Sequence, residues 1–181
     1  YGLAVDSAKV QLYNCQLSNT LNHTLFVKGG DVEVNGCTIA QFYPFDGYRA
    51  TAIGIIPPLL NFKVINSIVT GYHDDEVVWT SPKNDEVCNF SFDHCVLRTE
   101  KMNTEDSLKF TNTIYENLKD TTQFGEKHFR LFDTDNLKYD FRLRKESAAI
   151  GVADTATSLP TDRRGVLRDD KPDAGCYEFD E

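Results

Sequence analysis

Val10-Gln-Leu-Tyr-Asn-Cys-Gln-Leu17 recurs four more times along the chain, as Val32-Glu-Val-Asn-Gly-Cys-Thr-Ile39, Phe62-Lys-Val-Ile-Asn-Ser-Ile-Val69, Phe90-Ser-Phe-Asp-His-Cys-Val-Leu97 and Leu108-Lys-Phe-Thr-Asn-Thr-Ile-Tyr115. Every copy reads apolar-x-apolar-x-turn-small-x-apolar. Side chains that face one way recur every second residue in a strand. From Leu12 to Cys15 the step is three, so one residue has to absorb a change of direction. That residue is Asn14, Gly36, Asn66, His94 and Asn112 in turn. Gly enters positive φ freely, and Asn and His are among the few other residues enriched there. A left-handed bend at this place points the apolar side chains of both flanking strands at one interior.

Four interior columns follow. They are Val10/Val32/Phe62/Phe90/Leu108, Leu12/Val34/Val64/Phe92/Phe110, Cys15/Cys37/Ser67/Cys95/Thr113 and Leu17/Ile39/Val69/Leu97/Tyr115. A second short strand precedes each bend, with Leu3 and Val5 aligned on Leu25 and Val27, and with Ile53/Ile55 and Val77/Trp79 in similar places. The small-residue column is spaced by 22, 30, 28 and 18 residues. Leucine-rich repeats keep a tighter period, and helical solenoids need amphipathic helices that are missing. An antiparallel sandwich also spaces its turns regularly, but it has no reason to align a bend and a small column. The pattern predicts an all-β right-handed parallel β-helix (a β-solenoid) of about five to seven coils. Parallel crossovers set the handedness. Residues 1–145 are expected to form coils and 146–181 a C-terminal cap.

The 181 residues support one domain with a sizeable core. The balance of 19 basic against 28 acidic residues, net −9, argues against nucleic acid as the main partner. There is no apolar run long enough for a transmembrane helix. Tyr1 opens in the middle of a coil, so coils are expected to precede it in a longer chain, and a lipid anchor could lie there. Three of the five cysteines (Cys15, Cys37, Cys95) fall in one interior column, where Cys behaves as a small hydrophobe. Cys88 and Cys95 form one close pair, without the doubled spacing of a zinc site.

The tail contains Ser147-Ala-Ala-Ile-Gly151, Thr161-Asp162 with Gly165 and Arg168, and Pro172-Asp-Ala-Gly-Cys-Tyr-Glu178. It resembles the end of bacterial right-handed parallel β-helix proteins of the pectate-lyase-like superfamily. Many of these close on "S-P-A-I-G … T-D-x-x-G-x-x-R … P-D-I-G-A-Y-E", with Ala148 standing here for the usual Pro. The resemblance implies the fold and an exported, cell-surface or periplasmic bacterial protein. It implies no single activity, because one solenoid hosts lyases, hydrolases and adhesins. Asp162, Arg168, Asp173 and Tyr177 are read as cap residues, with Tyr177 covering the last coil. Asp162, Asp173 and Glu178 could otherwise ligate calcium.

Function in such a fold collects on loop insertions. Gln41-Phe-Tyr-Pro-Phe-Asp-Gly-Tyr-Arg49 offers Tyr43, Phe45, Asp46, Tyr48 and Arg49 as a sugar platform, or as aromatics packed on the outside of the coils. Tyr72-His-Asp-Asp-Glu76 is followed by Trp79, which joins the ligand-binding candidates. His73, Asp74 and Glu76 are the residue types a polysaccharide lyase uses as base and cation ligand. They also suit a merely solvated loop. Asp133-Thr-Asp-Asn136 with Asp140 reads as a turn with a calcium flavour. Asp6-Ser-Ala, Asp106-Ser-Leu and Asp154-Thr-Ala look like O-glycosylation tripeptides of exported bacterial proteins. No cofactor is expected, calcium being the one ion with candidate ligands. The leading expectation is an exported, non-catalytic module that binds glycan or docks on a cell-surface protein. The rivals are the C-terminal half of a polysaccharide lyase or glycoside hydrolase, and a structural subunit of an outer-membrane nutrient-uptake complex.

Overall fold

The computed structural model describes residues 1–83, 85–101 and 108–180. Asp106 of the second tripeptide lies outside them. Strand takes 42% of the chain and helix 3%, which makes the protein all-β. Its strands pair in two parallel sheets and one antiparallel hairpin.

The first sheet holds β1 (Leu3–Asp6), β2 (Lys9–Tyr13), β4 (Leu25–Asn35), β6 (Ile53–Ile65), β8 (Val77–Trp79), β9 (Cys88–Asp93) and β11 (Phe110–Thr111). The second holds β3 (Gln16–Ser18), β5 (Thr38–Gln41), β7 (Ile68–Gly71), β10 (Val96–Leu97) and β12 (Ile114–Tyr115). From β2 to β7, and again from β9 to β12, the chain alternates between the sheets. Leu3, Leu25, Ile53 and Val77 stand in register, as do Val5, Val27, Ile55 and Trp79. So do Leu12, Val34, Val64, Phe92 and Phe110 in the first sheet, and Leu17, Ile39, Val69, Leu97 and Tyr115 in the second.

Between the two sheets, Asn14, Gly36, Asn66, His94 and Asn112 have φ of 50°, 60°, 52°, 49° and 49°. Pairing continues through these bends. The amides of Asn14, Gly36, Asn66 and His94 donate to Asn35, Ile65, Asp93 and Thr111 carbonyls at 3.1–3.2 Å. The small residue after each bend reaches back to the carbonyl two positions earlier: Cys15 to Tyr13, Cys37 to Asn35, Ser67 to Ile65, Cys95 to Asp93 and Thr113 to Thr111. The same atoms also accept from a neighbouring repeat, Cys15 N–H on Cys37 Sγ and Cys37 N–H on Ser67 Oγ. That double duty explains why Cys, Ser and Thr share the column: each supplies one small donor–acceptor where a larger side chain has no room.

Leu108 departs from its column. β11 begins only at Phe110, and Leu108 is 83% exposed. The Phe90 ring it was expected to follow is met instead by Trp79 (4.6 Å between centroids) and by Lys109 Nζ (4.3 Å).

Parallel pairing also stops at Tyr115 rather than at 145. Residues 125–128 make a turn of 3-10 helix, and β13 (Phe129–Asp133) pairs antiparallel with β14 (Lys138–Leu143). Phe129 and Phe141 of this hairpin pack on Ala40 and Phe42. The tail then crosses the outer face of the second sheet, where Leu143, Ala149 and Ala174 cover Ile68 and Val96. Every residue of β5 and β7 is therefore buried.

The expectation of an end cap at Asp162, Arg168, Asp173 and Tyr177 is overturned by this path. Tyr177 Oη donates to Gln16 Oε1 in the first repeat (2.9 Å). Arg168 Nη2 donates to Asn14 Oδ1 (3.2 Å), and Asn14 Nδ2 to Thr161 O (2.8 Å). The segment acts as a strap along the bends because the second sheet needs its outward apolar residues covered. Gly175 (φ +99°) lets the strap lie close, since a Cβ there would sit 2.9 Å from Ile68 Cδ1 and Thr38 Oγ1.

Three substitutions test the bends by equilibrium denaturation. Gly36→Val forces a β-branched residue into the left-handed region and is expected to cost about 2 kcal/mol. Cys37→Ser is expected to stay within about 1 kcal/mol of the parent, whereas Cys37→Ala leaves the Cys15 amide without its acceptor and costs about 2 kcal/mol.

Candidate functional site

The two insertions expected to carry function touch each other. His73 Nε2 donates to Arg49 O at 2.9 Å, and the Arg49 guanidinium lies 4.6 Å above the Tyr72 ring. Arg49 also donates from Nη1 to Asp46 O (2.9 Å) and Tyr43 O (3.4 Å), closing its loop into a compact turn. Beneath it Phe42 is buried, edge-on to Tyr72, Phe129 and Phe132. The loop is thus rooted at both ends and displayed at its tip. Asp46 Oδ1 accepts the Tyr48 amide at 2.8 Å, and Tyr43 packs edge-on against Phe45 at 5.4 Å. Tyr48 is 98% exposed and Phe45 67%. Within this insertion Phe42 packs on the hairpin, and Phe45 and Tyr48 face solvent.

The acidic insertion is turned inward at its last residue. Glu76 is fully buried, and its two oxygens accept the His73 amide (2.8 Å) and the Ala52 amide (2.6 Å). Burial pushes its carboxyl up to about 8, against those two amides and the charges of Arg98 and Arg49. Gly71 is required beneath it, since a Cβ there would lie 2.0 Å from Glu76 Oε1. Asp75 braces the loop through the Val77 amide and the Thr99 hydroxyl. Asp74 is exposed. Trp79 stands apart from this pair of loops. It is half-buried against the core and lines a separate cleft of about 320 Å³ with Phe90, Cys88 and Lys109.

One polar chain went unseen at the sequence level. Glu116 Oε1 lies 3.1 Å from His128 Nε2, and His128 Nδ1 lies 2.8 Å from Ser147 Oγ. Burial raises the Glu116 carboxyl, yet the hydrogen bond and charge of His128 and the hydrogen bond from Arg98 hold it below its usual range. The residue types are those of a serine hydrolase, but all three are buried and Ser147 Oγ also accepts the Ala149 amide. The chain fastens the last repeat, the 3-10 turn and the tail together. Its members are 12 and 19 residues apart, so no local spacing announces them.

The remaining carboxylates serve turns and ion pairs. Asp162 accepts the amides of Arg164, Val166 and Glu178, and Asp173 those of Gly151 and Phe179. Glu178 Oε2 pairs with Arg168 Nη1 at 3.0 Å. Asp133 accepts both the backbone and side-chain amides of Asn136. Among the described residues no three His, Cys, Asp or Glu side chains gather as a metal site. The five cysteines are free thiols.

Glu76 makes a pH prediction. A carboxyl raised in the folded state gives stability that is complete below its unfolded pKa and is lost as pH climbs through about 8. Melting temperature measured from pH 6 to 8.5 is therefore expected to fall more steeply in the parent than in Glu76→Gln. Gly71→Ala is expected to cost more than about 2 kcal/mol, by overpacking against Glu76.

No protein-family model, curated protein or solved structure matches this chain.

Proposed function

We propose that the protein is a right-handed parallel β-helix of the pectate-lyase-like superfamily, exported to the surface of a bacterium, and that it works as a glycan-binding module. The fold reading is supported by parallel pairing that continues through five left-handed bends and by the tail signature at Ser147–Gly151 and Pro172–Glu178. The binding reading is carried by one observation. Phe45 and Tyr48 stand 67% and 98% exposed on a loop whose base is fixed by Phe42 and Arg49. Large aromatic side chains are costly to leave in water, and held rigidly they offer flat faces to the C–H face of a pyranose at little entropic cost. The net charge of −9 disfavours polyuronates and other anionic polymers, so the ligand is a neutral glycan.

Contact between the two insertions favours a second reading, the C-terminal half of a polysaccharide lyase or glycoside hydrolase. In that reading His73 has to leave Arg49 O to act as base, since Glu76 gives both oxygens to backbone amides.

The test is affinity electrophoresis through neutral and uronate-containing polysaccharides. The parent is expected to be retarded by a neutral polymer. Phe45→Ala/Tyr48→Ala is expected to weaken that retention about tenfold or more with an unchanged melting temperature. Retention that survives the double substitution would overturn the platform. Depolymerisation that is lost in His73→Ala would move the protein to the second reading. Retention on an outer-membrane protein fraction with none on glycans would make it a structural subunit.

A further inference from the structure

A cavity of about 220 Å³ lies beside the aromatic loop, between the end of β7 and the segment that follows β12. Its walls include Phe42, Tyr72 and Phe124 on the apolar side and Arg98, Thr121 and Lys127 on the polar side. Tyr72 is shared with the loop insertion: Arg49 covers its ring face, and its amide donates to Gln41 O at the root of the loop. Arg49 therefore touches a wall of the cavity while it closes the loop that carries the exposed aromatics.

Both cations of the cavity are paired with carboxylates. Arg98 donates from Nε to His73 O and from Nη1 to Glu116 Oε2, and Lys127 Nζ pairs with Glu126 Oε1 at 2.8 Å. Both cations keep further N–H groups beyond those bonds. Gly125 (φ +61°) allows the segment to close over Arg98, since a Cβ there would stand 3.2 Å from Nη1. Asp120 also lines it, with Oδ1 accepting the Thr122 amide and hydroxyl, so the result is a small recess with aromatic walls, N–H donors and one carboxylate acceptor. Such a lining suits a neutral, hydroxyl-rich ring: apolar faces take the C–H side, and fixed donors take the hydroxyls.

We propose that this cavity is a second sugar subsite, which holds one pyranose unit of the same glycan chain that stacks on Phe45 and Tyr48. The inference rests on the glycan-binding reading and adds a recognition pocket to its flat platform. Binding then depends on chain length, because only an oligosaccharide spans both places and gains from their linkage.

Titration calorimetry on the whole chain tests this, with cello-, manno- and xylo-oligosaccharides of two and six units as probes. At least one hexasaccharide is expected to bind tenfold or more tightly than its disaccharide. Thr121→Trp, which fills the mouth of the cavity from an exposed position, is expected to abolish that advantage without lowering the melting temperature. Lys127→Ala is expected to weaken hexasaccharide binding about threefold. Unchanged hexasaccharide affinity in Thr121→Trp, or no binding in any of the three series, would overturn the subsite. A loss in Phe45→Ala/Tyr48→Ala with none in Thr121→Trp leaves the platform standing and removes the cavity. The converse pattern keeps the cavity and removes the platform.

Discussion

Everything in this molecule depends on one backbone event, a residue in the left-handed region placed two positions after the last inward side chain of a strand. An L-residue pays roughly 1–2 kcal/mol for that conformation, and Gly and Asn pay least. The outlay is met locally. The small residue that follows turns its thiol or hydroxyl onto the carbonyl two positions back, and the bend amide donates onward to the next repeat. Four of the five bend amides are paired in this way, so the corner itself can be stacked. Stacking five such corners aligns the columns, and the aligned columns are the core.

The second sheet carries a consequence of this geometry. Residues alternate in and out along β5 and β7, yet both faces are buried. Inward residues meet the first sheet, and outward ones (Ile68, Val96, Ala40) need a separate cover. The hairpin and tail supply it. Their attachment uses the bends a second time: Asn14 and Asn66 present side-chain amides outward, which bond Thr161, Arg168, Asp154 and Thr157. The residue type that tolerates positive φ is thus also the one that can bind a strap, which Gly36 cannot do.

This explains what was legible in the sequence and what was not. Bends and columns are written in local spacing, since each needs a fixed offset within eight residues, and those offsets survive insertions of any length between repeats. The strap is written in contacts 147 and 161 residues apart. Local reading recognises its turns at Asp162 and Asp173 but carries no information about which end of the stack they reach. Leu108 fits its column by spacing and fails by pairing, because β11 starts two residues later. Glu76 shows the same limit at the candidate site. Its neighbours His73, Asp74 and Asp75 suggest a solvated acidic loop, and only the tertiary fold reveals that Ala52, 24 residues away, needs its carboxylate.

The division of labour inside the insertions follows from the same constraint. A stacked core with fixed columns has no place for a group that must change partners, so the proposed recognition falls to loops between repeats. A loop that merely dangled there would lose entropy on binding. The Gln41–Arg49 insertion avoids this by spending its first aromatic and its last cation inward, Phe42 into the hairpin and Arg49 onto Tyr72. Phe45 and Tyr48 remain outward on this anchored loop. In the proposed glycan-binding role anchoring and display are coupled: the more firmly Phe42 and Arg49 bind below, the less a ligand would have to order above.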